Sequence, residues 1–130
     1  MLLIVMPFVN VWDLEDMVMA KYEVSLVGDF DSLLSTLDSE ILGRSMSASF
    51  QGGSDLAIGN VRCAVRVYER YSIIGSNRLA ANITLLGEGQ NLYLSVISSG
   101  GSQAMFFKVN TWGEEAFTDK IAKIVERWRG

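Results

Sequence analysis

Arginine and tyrosine side chains alternate with apolar ones in the segment VRCAVRVYERY, residues 61–71. Successive side chains of a β-strand point to opposite faces, so Arg62, Arg66, Tyr68 and Arg70 would share one face. The other face carries a nearly apolar series: Val61, Cys63, Val65, Val67, Glu69 and Tyr71. The apolar series predicts the side that is buried against helices. The arginine and tyrosine series predicts an outward face that meets water, an anion or a partner.

Strands that follow in the sequence add aromatic and charged residues to this outward face. The alternation places Tyr93 on it from one predicted strand, and Phe106 and Lys108 from the last one. Arginine and aromatic residues are enriched where proteins bind one another. The candidate interaction face therefore consists of Arg62, Arg66, Tyr68, Arg70, Tyr93, Phe106 and Lys108.

Several interpretations of this face stay open. A hydrated face with arginine packed on tyrosine across strands explains the pattern without any function. A surface for a homodimer or an unidentified protein partner explains the large apolar side chains, and a small anionic ligand explains the arginines. Single-stranded nucleic acid could stack on the aromatic rings, but the net charge of −4 disfavours it. Of these interpretations, we favour the surface for a homodimer or another protein partner, which would make the domain a non-catalytic interaction module.

Chemistry that the sequence lacks narrows the function further. Without a histidine, the chain has neither the usual general base nor the commonest metal ligand. Its single cysteine, Cys63, permits no intrachain disulfide, and on an apolar strand face it is expected to be a small buried residue rather than a reactive thiol. Glycines at 87–89 and 100–101 lie between predicted strands and do not open a helix, so no phosphate-binding loop is predicted. We expect a protein that is not an enzyme and holds no cofactor.

The composition is that of a folded domain preceded by an unusual segment. With 130 residues, 49% of them hydrophobic, the chain can form one domain with a core. The apolar run at 1–12 lacks the basic start of a signal peptide and is shorter than the roughly 20 residues that span a bilayer. Residues 1–18 are either an extra N-terminal segment or upstream codons read in frame before a start at Met19. We expect a single domain over residues 19–130, no membrane span and a location in the reducing cytoplasm.

Hydrophobic periodicity predicts the elements that position these residues. One helix covers residues 30–42 after a capping Asp29, and a second opens at Thr111. The buried stripe of the second helix is Phe117, Ile121, Ile124, Val125 and Trp128. The predicted strands are 22–27, 45–50, 61–71, 79–86, 92–96 and 105–109, with a turn at 51–55. The sequence therefore predicts a two-layer α+β fold in the order β-α-β-β-β-β-β-α. In it, both amphipathic helices lie on one face of an antiparallel meander.

A small-molecule or lipid-binding domain is the alternative function. It requires a cavity between the sheet and the helices. The inward residues that would line it are Met46, Phe50, Met105, Phe107 and Trp128. Because these large side chains are enough to fill the space, a packed core is favoured over a pocket.

Three segments resemble one family of short bacterial proteins. These segments are GSDLAIGNVRCAVRVYERYS, SNRLAANITLLGEG and SSGGSQAMFFKVNTWGEEAF. The family is known only as a domain of unknown function, number 6054, and the resemblance covers Met19 to about Trp128. It implies no activity, ligand or catalytic residue, so the function stays open on these grounds.

Overall fold

A computed structural model describes residues 19–43, 47–72, 77–100 and 117–130. The strands are β1 (Met19–Val27), β2 (Ala48–Ile58), β3 (Val61–Ser72), β4 (Asn77–Glu88) and β5 (Asn91–Gly100). The helices are α1 (Phe30–Ile41) and α2 (Phe117–Arg129). The predicted α+β class is confirmed for this part of the chain. The N-terminal segment 1–18, the strand predicted at 105–109 and the helix start predicted at Thr111 lie outside the described residues.

All strand pairs of the described sheet are antiparallel, in the spatial order β1-β5-β4-β3-β2. Strands β2 to β5 form the predicted meander, because each of them pairs with the next strand of the sequence. The β4–β5 turn uses Gly89, whose φ of +60° is a conformation that glycine adopts without a steric penalty. Strand β1 pairs with β5 and not with its neighbour in the sequence, β2. The first and last described strands therefore lie side by side at one edge of the sheet.

Helix α1 begins where Asp29 caps it, and the Asp29 carboxylate accepts a hydrogen bond from the Ser32 amide at 2.8 Å. Leu33, Leu37 and Ile41 recur at helical spacing and are fully buried. Their spacing places one apolar stripe of the helix against the sheet. The helix predicted at 30–42 is thus confirmed to within one residue at its end.

Helix α2 packs beside α1 on the same face of the sheet. Its residues Phe117, Ile121 and Val125 are fully buried, as the predicted stripe requires. The Thr118 hydroxyl shares a buried hydrogen bond with the Ser98 hydroxyl of β5. The strand residues that face the two helices are likewise buried: Leu26, Leu79, Ala81, Ile83, Leu85, Leu92, Leu94 and Val96. We call this side of the sheet the helix-covered face.

Strand β2 is longer than predicted. The turn expected at 51–55 is wrong, because β2 pairs with β3 along its whole length, with one irregularity between Phe50 and Gly52. A β-bulge of this kind accommodates an extra residue without ending the strand. Gly53 has a packing reason to lack a side chain, since an added Cβ would lie 2.8 Å from the Val65 carbonyl oxygen and 3.0 Å from the Arg66 side chain.

Candidate functional site

The two faces of β3 are the reverse of the prediction. Directly opposed residues of an antiparallel pair lie on the same face. Arg66 lies opposite Ile83 and Tyr68 lies opposite Ala81, and both partners belong to the buried core. Tyr68 itself is only 1% exposed. The prediction that Arg62, Arg66, Tyr68 and Arg70 form an outward face is therefore wrong, because this series lies on the helix-covered face.

Acidic residues of α1 explain how polar side chains can occupy that face. The Tyr68 hydroxyl donates a hydrogen bond to Asp38 Oδ1 at 2.7 Å. Burial, and then this hydrogen bond, raise the pKa of Tyr68. A buried polar group is tolerated when it has a partner, and Asp38 is that partner.

Arg62 also binds an acidic residue of α1, in the first turn of the helix. Its guanidinium donates two hydrogen bonds to the Asp31 carboxylate, at 3.0 and 3.1 Å, and lies 4.0 Å from the centre of the Phe30 ring. The hydrogen bond from Arg62 lowers the pKa of Asp31. Asp31 and Asp38 are two helical turns apart, so they face the same way along α1. This spacing is the signal in the sequence that could have identified the covered side of β3.

A cleft lies where α1 stops covering β2 and β3. Its volume is about 600 Å³, and it opens to solvent. The lining side chains are Asp31, Leu34, Ser35, Asp38, Leu42, Phe50 and Arg66. Of the residues predicted to line a cavity, Phe50 does so, whereas Trp128 donates a hydrogen bond to Ser32 from α2. Met46, Met105 and Phe107 lie outside the described residues.

The polar groups of this cleft already bind one another. Asp31 accepts from Arg62 and Asp38 accepts from Tyr68. The Arg66 guanidinium donates to Asp55 at 3.0 Å and to the Val65 carbonyl oxygen at 2.9 Å. These contacts leave the cleft without a buried charge that would require a ligand.

The opposite side of the sheet, which we call the open face, has no described element lying over it. Its β3 residues are those that the sequence predicted to be buried: Val61, Cys63, Val65 and Val67. All four side chains are half-buried. Cys63, the only cysteine of the chain, accordingly lies on the open face and not in the core. The expectation that Cys63 is buried is therefore corrected, because its side chain is only half-buried.

Large apolar side chains of neighbouring strands extend this series into a patch. Leu56, Cys63, Leu86 and Tyr93 form one row across four strands. Of their side chains, Leu56 is 52% exposed and Tyr93 is 38% exposed. We define the apolar patch as Leu56, Ile58, Val61, Cys63, Val65, Val67, Leu86 and Tyr93.

The apolar patch is no larger than patches that single domains commonly expose, but patches of this kind often mark a binding site. With strands about 4.8 Å apart and side chains of one face about 6.7 Å apart along a strand, its eight residues cover roughly 260 Å². Monomeric proteins rarely expose a contiguous apolar patch larger than a few hundred Å², and such patches often bind partners. The most exposed member is Ile58, at 76%.

Polar residues of both charges surround the patch on the open face. Arg78 pairs with Glu69 at 3.2 Å beyond one end of it. On the β1 side, the Ser95 hydroxyl donates to Glu23 at 3.4 Å. Partial burial, and then a hydrogen bond to Glu23, raise the pKa of Tyr93. The open face thus has an apolar half on β2 to β4 and a polar half toward β1.

The predicted interaction residues fall into three groups. Tyr93 lies on the open face, and so not on the face of the arginines with which it was predicted to lie. The three arginines and Tyr68 lie on the helix-covered face. Phe106 and Lys108 lie outside the described residues. The prediction missed the valines of β3, because their apolar character indicated burial, and it assigned Leu56 and Ile58 to neither face.

The family model described as a family of unknown function, DUF6054, matches residues 19–129. The chain belongs to this family. No curated protein and no solved structure matches it. Among the described residues, no helix is both long and apolar enough to cross a membrane. In the same part of the chain, no three His, Cys, Asp or Glu side chains are grouped so that they could hold a metal ion.

Proposed function

We propose that this domain is a non-catalytic interaction module that binds a protein partner through the open face. The observation that carries the proposal is the apolar patch, a row of large side chains across four strands that the described helices leave uncovered. Burying roughly 260 Å² of apolar surface would contribute about 6 kcal/mol before the costs of association. The polar contacts around the patch would add to this contribution and set the specificity of the complex.

Two observations support a role without catalysis. The chain has no histidine, so a general base would have to be a carboxylate, a lysine, a tyrosine or the single cysteine. The carboxylates that line the cleft, Asp31 and Asp38, already accept hydrogen bonds from Arg62 and Tyr68. Their partners fix the position of β3 against α1, which is a structural task.

A matched pair of variants tests the proposal. Leu56→Glu combined with Ile58→Glu places charge on the apolar patch, whereas Ala57→Glu places the same type of charge on the opposite side of the same strand. All three positions are exposed, so we expect each variant to fold, as circular dichroism would check. Proteins captured from lysate by the wild type would be identified by mass spectrometry, purified and titrated against each variant.

We expect the double variant to weaken binding of a captured partner at least 100-fold and Ala57→Glu to change it less than threefold. A charged side chain at the centre of an apolar contact loses its hydration without gaining a partner. Equal binding by the wild type and the double variant would refute a role for the open face.

The cleft supports a second candidate, a small-molecule or lipid ligand. Leu34, Leu42 and Phe50 give it an apolar wall, and its volume of about 600 Å³ lies in the range of ligand pockets. Native mass spectrometry of the purified protein would detect a bound compound. Ser35→Trp would fill the cleft and should displace that compound, while Ser39→Trp, at an exposed α1 position that does not line the cleft, should retain it.

A further inference from the structure

We infer that strand β2 pairs edge to edge with β2 of a second copy, so that the two five-stranded sheets form one continuous antiparallel sheet. Strand β2 is at the end of the described sheet, and no described strand lies on its outer side. A strand in this position presents a row of backbone N–H and C=O groups, and the chemistry that satisfies such a row is another extended backbone. The inference goes beyond the proposed function, because the apolar patch is complete within one copy.

The turn between β2 and β3 establishes which backbone groups of β2 point outward. Gly59 and Asn60 form a two-residue turn, and a turn of this kind is closed by a hydrogen bond between Ile58 and Val61. Backbone groups of an antiparallel strand point alternately toward and away from its neighbour, so every second residue before Ile58 also points toward β3. The residues between them direct their N–H and C=O groups away from β3, at the outer edge: Gly53, Asp55 and Ala57.

Residues 53–58, with the sequence GSDLAI, lack the features that keep sheet edges from pairing with one another. Protected edges commonly carry proline, lysine or an unpaired inward charge. This segment contains neither proline nor lysine, and its one carboxylate, that of Asp55, binds Arg66 of the same copy at 3.0 Å. The opposite edge strand of the described sheet, β1, carries exposed Lys21 and Glu23. The two edges therefore differ, and β2 is the one open to a copy of itself.

The surroundings of β2 leave room for a second strand. All side chains of residues 53–58 are exposed. The cleft beside α1 lies where the helix stops covering β2, so α1 does not block the approach of another backbone to about 4.8 Å. Glycine, serine and aspartate are also poor strand formers, and a strand of such residues that pairs on one side only gains stability from a neighbour on the other.

The charge of Asp55 places the two-fold axis. Opposed residues of an antiparallel pair lie on the same face, so a two-fold axis passes through a residue position. An axis at Asp55 would oppose two carboxylates, whereas an axis at Leu56 opposes each Asp55 to Ala57 of the other copy. The axis at Leu56 forms roughly four backbone hydrogen bonds and brings the two exposed Leu56 side chains together on the open face. The apolar patches of the two copies then meet along the shared edge.

Solvent exchange of backbone amides, measured by NMR on the full chain, tests the pairing directly. We expect a dissociation constant of about 100 µM, as is typical of small interfaces. Between about 50 µM and 1 mM protein, exchange of the Asp55 and Ala57 amides should then slow about threefold, because only the free copies exchange. The Leu56 amide, which points toward β3, is the internal control and should not change.

A proline substitution tests the same edge by removing one outward donor. Ala57→Pro deletes an N–H that β3 does not use, and edge strands tolerate proline at such positions. Sedimentation equilibrium should show this variant as a monomer up to about 1 mM, while Ala57→Val, which keeps the N–H, should dimerise within about threefold of the wild type. Circular dichroism checks that both variants fold, and the exchange measurement on the wild type decides the inference even if Ala57→Pro is unstable.

Two charged substitutions at one position test the placement of the axis. With the axis at Leu56, residue 57 of each copy faces Asp55 of the other, twice in the dimer. Ala57→Lys should therefore bind its own copy about tenfold more tightly than Ala57→Asp. Equal dissociation constants for the two variants would overturn the axis at Leu56.

Three results would overturn the pairing itself. One is a wild type that stays monomeric up to about 1 mM. Another is a dimer that Ala57→Pro leaves intact. The third is slow exchange of the Asp55 and Ala57 amides at every concentration, which would mean that the edge is covered within one copy. None of these results decides the proposed function, which fails only when an identified partner does not require the apolar patch.

Discussion

The two faces of the sheet carry polar and apolar residues in the opposite way to what hydrophobic burial alone predicts. The helix-covered face contains buried polar side chains, and the open face contains exposed apolar ones. On the helix-covered face, Tyr68 is 1% exposed and its hydroxyl binds Asp38. On the open face, Leu86 and Ile58 are 41% and 76% exposed. Side-chain polarity alone thus does not decide which side of a strand is covered. What decides it here is the presence of acidic partners on α1 and the register of β3 with the apolar strand β4.

The difference between the two faces predicts its largest effect on stability at two adjacent leucines of β4. Leu85 faces the helices and is fully buried, whereas Leu86 lies on the open face. Leu85→Ala should lower the free energy of unfolding by about 2–5 kcal/mol, and Leu86→Ala by less than about 1 kcal/mol. Urea denaturation at low protein concentration would measure both without a contribution from association. Equal losses would mean that the open face is covered in the folded protein.

A second pair of substitutions adds a methyl group to each face. An added Cβ at Gly87 would lie 2.7 Å from Phe30 Cδ2, while one at Gly52 would have no neighbour within 4 Å. Gly87→Ala should therefore cost about 1–3 kcal/mol, because the packed Phe30 ring must move. Gly52→Ala should be neutral or stabilise by up to about 1 kcal/mol. Thermal melts of the two variants would check the difference, and a Gly87→Ala protein as stable as the wild type would contradict the packing of α1 on β4.

A third pair removes one hydroxyl from each face. Tyr68→Phe deletes the hydrogen bond to Asp38 and should reduce the free energy of unfolding by about 1–2 kcal/mol. Asp38 is exposed, so water can replace the lost donor and limit the loss. Tyr71→Phe, on the open face, should have no measurable effect. If both variants lost the same stability, the Tyr68 hydroxyl would not be specifically bound to α1.

The smallest expected effect is a change in the pKa of one carboxyl group, that of Asp31. The hydrogen bond from Arg62 lowers the pKa of Asp31, so Arg62→Gln should raise that pKa toward its ordinary value. A carboxyl whose folded pKa is depressed stabilises the fold above its unfolded pKa, and this contribution is lost as the pH falls through the folded pKa. Carbon-detected NMR titration of the Asp31 carboxyl would measure the shift. Arg78→Gln, far along β3 and β4, is the control that should leave Asp31 unchanged.

Much of the fold was predictable because its elements have strong periodic patterns. The stripes of α1 and α2 appear as predicted, with Leu37 and Ile121 fully buried. Strands β4 and β5 lie where they were predicted, and their apolar residues Ile83 and Leu94 lie on the covered face. In these elements one face is clearly more apolar than the other, so the pattern and the burial agree.

The same reasoning could not predict which face of β3 the helices cover. Both of its faces can be buried, one through valines and the other through Tyr68 and Arg62 with their partners on α1. Those partners lie about 30 residues away in the sequence, and local patterns do not report such contacts. The apolar patch was missed for the same reason, because its valines were assigned to the core. Gly52 and Gly53 indicated a turn, whereas pairing with β3 holds them in a strand.

The position of β1 has a consequence for the order in which the domain assembles. Glu23 of β1 and Ser95 of β5 are in contact although they are 72 residues apart in the sequence. Hairpins β2 to β5 close short loops, whereas the β1–β5 pair must close a long one and is intrinsically slower. On a translating ribosome, β1 is made first but has no strand to pair with until β5 has emerged. We therefore expect pulse-labelled hydrogen exchange to show β1 protected after the meander, with the first strand synthesised being the last to join the sheet.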